Sequence, residues 1–156
     1  MKKYYIAIFL LCLICFIPHK TTLTAIASEQ GRGEYAFIVD GKEQKGSFTK
    51  RFVNGDTTIL YCNAIESCDM KKEIQNQILG ESYSFTGDRE DALDFIKKLQ
   101  GKIVKESKTG EIVSYYVYAG SLDSRAIDMY GKRVNMQIAV QNGKIEVGIP
   151  IILGSY

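Results

Sequence analysis

The chain has 156 residues with 20 basic and 18 acidic side chains, four cysteines, a single histidine and no tryptophan. That length builds one hydrophobic core and not two comfortable ones, and the near-balanced charge lacks the positive field that phosphate backbones demand. Nucleic acid is therefore not expected as a partner.

The N-terminus reads as an export signal. Met1-Lys2-Lys3 is a basic head, and Tyr4 to Ile17 is a run of 14 apolar or aromatic residues. A polar stretch from His19 to Thr24 leads into Ala25-Ile26-Ala27, a small-x-small cleavage signature. Fourteen helical residues reach about 21 Å, short of a hydrocarbon core of about 30 Å. The sequence thus predicts a signal peptide over 1–27, cleaved after Ala27, with an uncleaved membrane anchor as the alternative. Cys15 is not a lipoprotein cysteine, because Ile14 stands where a small residue is expected. The expected address is secreted or extracytoplasmic, in the cell envelope, with membrane contact only through an uncleaved leader. Cleavage takes Lys2, Lys3, Lys20 and no acid, which leaves 17 basic against 18 acidic residues in a single domain over 28–156. It also removes His19, Cys12 and Cys15. The remaining Cys62 and Cys68, in an oxidising compartment, are expected to form a disulfide staple.

Along the chain, Glu34 to Val39, Lys45 to Val53 and Thr57 to Cys62 read as three strands of a meander, with Asp40-Gly41 and Asn54-Gly55 as the turns. A helix is expected from Asp69 to Leu79, where Met70, Ile74 and Ile78 form a stripe and Gly80 stands at the cap. The second helix is better marked. Asp88 caps it, Glu90 and Asp91 suit its positive end, Lys97 and Lys98 its negative end, and Gly101 stops it. Ala92, Phe95, Ile96 and Leu99 line one face. Ile103 to Ser107 and Glu111 to Tyr118 flank a Thr109-Gly110 turn, and 119–131 is irregular. Val134, Met136, Ile138 and Val140 then alternate with polar or small residues, Asn142-Gly143 turns the chain, and Ile145, Val147 and Ile149 alternate again. Period-two patterns mean one buried and one wet face, so the expected class is α+β: an antiparallel sheet with two helices packed on one face.

Loss of His19 removes the imidazole that Ser-His-Asp, Cys-His and the usual zinc sites require, and two cysteines cannot build a Cys₄ site. No metal site or cofactor is expected. Ser47-Phe48-Thr49-Lys50, Tyr61-Cys62-Asn63 and Lys108-Thr109-Gly110 imitate the three signatures of penicillin-binding enzymes. The first of them, however, falls in a strand pattern, where Ser47 and Lys50 diverge. Asp88, Glu90, Asp91 and Asp94 are read as a capped helix start rather than a calcium or glycosidase site. The candidate binding residues are Tyr115, Tyr116 and Tyr118, which put rings on both faces of one strand. Tyr116 and Tyr118 share a face suited to stacking on sugar or peptide, against the alternative of ordinary packing. Lys42, Lys45, Lys50 and Arg51 form a modest basic stretch. Pro150-Ile151-Ile152-Leu153 is an apolar run that is either tied into the fold or an interaction edge.

Phe85-Thr86-Gly87 before a helix, Gly131-Lys132-Arg133-Val134-Asn135-Met136-Gln137-Ile138-Ala139, and Val147-Gly148-Ile149-Pro150-Ile151-Ile152 with Tyr156 at the end resemble the YwmB family. The likeness runs over 82–156. It implies an exported protein of Gram-positive spore-forming bacteria and a TATA-box-binding-protein-like fold, a curved antiparallel sheet with helices on one side. It implies no activity and no catalytic residue. The expected function is a non-enzymatic envelope protein, linked to sporulation through this resemblance, that binds a wall component or a protein partner. The alternatives are a carboxylate-dependent wall-polymer hydrolase and a structural assembly subunit.

Overall fold

The computed structural model describes residues 20–41, 48–74 and 76–152. Helix α1 (Leu23–Gln30) is followed by β1 (Glu34–Asp40), β2 (Lys50–Asn54), β3 (Thr57–Asn63), a 3-10 turn (Ala64–Glu66), α2 (Ser67–Glu73) and β4 (Ile78–Thr86). Then come α3 (Arg89–Lys98), β5 (Lys102–Thr109), β6 (Ile112–Tyr118), a small hairpin of β7 (Ile127–Met129) and β8 (Lys132–Val134), β9 (Met136–Gln141) and β10 (Lys144–Ile149). Eight strands form one sheet in the order β2-β3-β1-β4-β10-β9-β6-β5, antiparallel at every pairing. The fold is α+β, and the sheet is not strongly curled.

The expected meander does not form. β3 lies between β2 and β1, because β1 (Glu34–Asp40) is buried on both faces and must be interior, whereas every residue of β2 is exposed and suits an edge. Asp40-Gly41 therefore leads into a long connection, and Gly41 N–H donates to the Asp56 carbonyl at 2.6 Å. The expected helix over 69–79 is a second correction. α2 ends at Glu73, and the chain goes on as β4, a central strand between β1 and β10. Met70, Ile74 and Ile78 do pack on the core, but from a helix, the residue after it and a strand, so their spacing imitated a longer helix. Lys42, Lys45 and Ser47 lie outside the described residues.

The second predicted helix is α3. Asp88 Oδ1 accepts from the Glu90 and Asp91 amides at 2.8 and 3.1 Å, and Asp91 Oδ2 accepts from the Asp88 amide, which completes a capping box. Ala92, Phe95, Ile96 and Leu99 are all buried. In the second half, the alternating stretch is interrupted at Asn135. Its amide pairs with both backbone groups of Ala119 at 2.9 Å, a side chain taking the place of a ladder partner.

Three buried tyrosines tie the helices to the sheet. Tyr35 donates to Glu81, whose other oxygen receives Lys71 of α2 at 2.6 Å. Tyr83 donates to Gln30 Oε1 of α1 at 2.8 Å, and Arg89 Nε of α3 donates to the Tyr115 hydroxyl at 2.6 Å. Burial and the Glu81 carboxylate hold Tyr35 well above the usual phenol range, so it stays a donor.

α1, unforeseen from the sequence, makes three helices rather than two. Thr22 caps it by accepting from Ala25 N–H at 3.2 Å, and Gly31 closes it at φ 66°. Leu23 is 1% exposed and Ala27 0%, and Thr21 is bridged to Leu122 in parallel. The boundary drawn after Ala27 thus falls inside a core helix, while residues 1–19 lie outside the described residues. Leu23→Ala is expected to cost about 2–5 kcal/mol in a thermal melt. Intact mass of the protein purified from its native source is expected to give an N-terminus at or before Thr21, and one at Ser28 would contradict this placement.

Cys62 and Cys68 are a further correction: both are free thiols. Alternation sends Cys62 to the core side of β3, whereas Cys68 sits half buried in the first turn of α2. Burial, with Glu66 and Glu34 nearby, pushes the Cys62 thiol up from 9.0 to about 12. A raised thiol contributes stability that is fully present below pH 9 and lost as pH climbs through about 12. Cys62→Ala is therefore expected to flatten the alkaline fall in Tm. Iodoacetamide at pH 8 is expected to label Cys68 in the folded protein and Cys62 only after unfolding. Labelling of neither until reductant is added would contradict the thiol pair.

Candidate functional site

Strand alternation gives the sheet two unlike faces. Tyr35, Phe37, Leu60, Tyr83, Ile138 and Val147 join the helices in one core cluster. Among the described residues no helix packs on the opposite face. Backbone pairing lines up one row across it: Lys50, Tyr61, Ala36, Ser82, Gly148, Gln137, Tyr116 and Lys105. A second row runs Glu34, Ser84, Glu146, Ala139 and Ser114. The first row is small at its middle, with Tyr61 and Tyr116 towards its edges, and the second has Glu146 set between Ser84 and Ala139. The result is a trough floored by serine, alanine and glycine, and its depth comes from side-chain size rather than from curling of the sheet.

The β1–β4 half of this face holds a cavity of about 420 Å³, lined by Ala36, Ile38, Phe52, Ile59, Tyr61, Ser82 and Ser84, with Glu34, Lys144 and Glu146 at its polar margin. Phe52 is 59% exposed, an unusual state for phenylalanine on an edge strand. Ser82 Oγ donates to Glu146 Oε1 at 3.1 Å, and Lys50 Nζ pairs with Glu34 at 3.1 Å and lies 5.9 Å from the Tyr61 ring. At the end of the strands the trough opens into a shallower cleft of about 670 Å³ that shares Glu34, Ser84 and Lys144 and adds Arg32 and Asn142. On the helix side, a cleft of about 440 Å³ separates α1 from α3, between Glu29, Gln30 and Lys98.

The C-terminal segment divides the bare face. Past Ile149, joined to Pro150 by a cis peptide, the chain turns back so closely over Gly148 that a Cβ there would lie 2.3 Å from the Ile152 nitrogen. Only glycine fits. Ile152 N–H donates to Gln137 Oε1 at 3.2 Å. The apolar run is tied into its own domain as far as Ile152, and Leu153 lies outside the described residues.

The three candidate tyrosines separate. Tyr115 is fully buried among the core residues and is corrected to a packing role, because alternation turns it to the helix side. Tyr116 and Tyr118 are half buried on the bare face, where the tyrosine platform was expected. Three residues that sequence reasoning missed complete this end. Tyr130 lies 6.4 Å from Tyr116, ring to ring at 76°; Lys105 Nζ stands 3.7 Å above the Tyr130 ring; and the Arg133 guanidinium is 5.2 Å from the Tyr118 ring. The signal for Tyr130 was Tyr130-Gly131 inside the stretch read as irregular, a dipeptide at the tip of the β7–β8 hairpin.

Other motifs are not brought together. Lys50 and Tyr61 are partners at one edge of the sheet, while Lys108 and Thr109 end β5 at the other edge. Asp88 and Asp91 serve the α3 cap. Among the described residues, no group of three or more histidine, cysteine or acidic side chains is arranged to hold a metal.

No helix among the described residues is long and apolar enough to cross a membrane. Compared with protein-family models, curated proteins and solved structures, the chain matches none.

Proposed function

We propose that this chain is an exported, non-enzymatic protein of the cell envelope that binds a wall polymer along the bare face of its sheet. The observation that carries the reading is the trough itself. Its floor of serine hydroxyls, its margin of two carboxylates and a lysine, and its aromatic walls at Phe52 and Tyr61 offer what a polyhydroxylated chain needs: hydrogen-bond partners below and flat apolar surface beside. A flat protein partner would favour a larger continuous apolar patch than the short row of Phe52, Ile59 and Ile38 beside these recessed small residues. The return of Pro150 to Ile152 onto Gly148 favours a binding module over an assembly subunit, since it occupies the apolar run within the chain. Kinship with the YwmB family and its TATA-box-binding-protein-like fold belongs to the same proposal, supported by the sequence likeness over 82–156 and by helices on one side of an antiparallel sheet.

Ser84→Leu fills the trough without touching the core. It is expected to lower binding to purified wall sacculi by about tenfold, equivalent to about 1.4 kcal/mol, at unchanged Tm. Unchanged sedimentation with sacculi would contradict the proposal.

One observation favours a second reading, a wall-polymer hydrolase. Glu34 and Glu146 flank Ser84 on strands two spacings apart, which places their backbones about 9.6 Å from each other, near the upper range for an inverting carboxylate pair. Release of reducing sugar from sacculi by the wild type, abolished in both Glu34→Gln and Glu146→Gln, would support the hydrolase. No release by the wild type would dispose of it.

A further inference from the structure

The opposite end of the bare face carries a second set of groups, cut off from the trough by Pro150 to Ile152. We infer that Tyr116, Tyr118 and Tyr130, with Lys105 and Arg133, form a separate binding site for an anionic sugar, a pyranose bearing a phosphate or a carboxylate.

The backbone supplies the first argument. Tyr130 and Gly131 form the two-residue loop of the β7–β8 hairpin with φ of 57° and 70°, the positive pair of a type I′ turn. The same chain closes β9–β10 with Asn142 and Gly143 at 49° and 74°, the dipeptide that this turn favours. At the first hairpin an aromatic residue stands where asparagine belongs, in a left-handed geometry that is costly for any residue with a bulky side chain. Its ring is not hidden in return: Tyr130 is 66% exposed. A strained, exposed aromatic residue at a hairpin tip is the kind of outlier from which function is properly inferred.

Charge supplies the second argument. Lys105 and Arg133 lie against the Tyr130 and Tyr118 rings, and among the described residues neither has a carboxylate within ion-pairing distance. Asp128, the cross-strand neighbour of Arg133, forms no such pair with it. Two cations thus stand beside the rings with no carboxylate among the described residues to neutralise them. A pyranose presents apolar C–H groups that pack on a tyrosine face, and an anionic substituent on it reaches the adjacent ammonium or guanidinium. A neutral sugar uses only the rings and a free anion only the cations, so the combination selects a molecule that has both.

The test uses the full chain in a mild detergent, with glucose 6-phosphate, glucuronic acid, glucose and inorganic phosphate as probes in isothermal titration calorimetry. At least one of the two acidic sugars is expected to bind, and the tighter of them tells whether phosphate or carboxylate is preferred. Glucose and inorganic phosphate are each expected to bind at least about tenfold more weakly, glucose for want of the charge-assisted contact and phosphate for want of packing on the rings. Tyr130→Asn restores the favoured turn residue, so it is expected to keep or raise Tm while weakening the acidic sugar about tenfold. Ser84→Leu, which blocks the trough, is expected to leave this binding unchanged, so failure of either site is seen separately. Equal binding by Tyr130→Asn and wild type, equal binding of glucose or inorganic phosphate and the acidic sugars, or no binding of either acidic sugar would overturn the inference.

Discussion

Tyr35, Tyr83 and Tyr115 have their rings buried in the core and their hydroxyls at its margin, and each hydroxyl is tied to a different helix. A buried phenol without a partner is costly, and these three find theirs where the helices, their ends and the sheet meet. Tyr83 meets both Gln30 of α1 and the Arg32 carbonyl beyond its end, each at 2.8 Å. Tyr115 needs Arg89 of α3. Tyr35 reaches α2 through Glu81 and Lys71, an ion pair whose carboxylate side chain is only 13% exposed. These contacts hold the three helices to one face of the sheet, and among the described residues no helix covers the other face. The trough follows from that asymmetry.

The two faces solve different problems with the same alternation. On the helix side, large apolar side chains gain roughly 1.5–3 kcal/mol each by leaving water, and this drives the packing. On the bare side, large apolar residues are confined to the short row Phe52, Ile59 and Ile38, and serine, alanine and glycine take the centre with charged residues around them. Tyr61 and Tyr116 stand at corresponding places in one cross-sheet row, each next to an edge-strand lysine, Lys50 and Lys105. That arrangement gives two aromatic margins, with the C-terminal segment lying between them over Gly148.

Much of this was legible in the sequence, and the parts that were not have physical reasons. α3 could be read because cap, charge distribution and stripe agree, and β9 and β10 because their alternation is clean. β4 was hidden because Ile78 continued the spacing of Met70 and Ile74. The order of β1, β2 and β3 depends on which strand is buried on both faces, a tertiary fact that turn dipeptides do not carry. α1 was masked by its composition: Ala25-Ile26-Ala27 satisfies a cleavage signature and a helix–sheet contact equally well. At the site, alternation correctly separated Tyr115 from Tyr116 and Tyr118, but which pair faced the core required the neighbouring strands. Tyr130, Lys105 and Arg133 come from three separate elements, and only the folded chain brings them together.

The central claim is that ligand occupies the face of the sheet that the helices leave open. A crystal structure of the domain from Lys20 onwards, grown with solubilised wall fragments, tests it most directly. The account expects bound fragment density along Ala36, Ser84 and Glu146, with the helices unmoved. Density confined to the cleft between α1 and α3, with the open face empty, would contradict it.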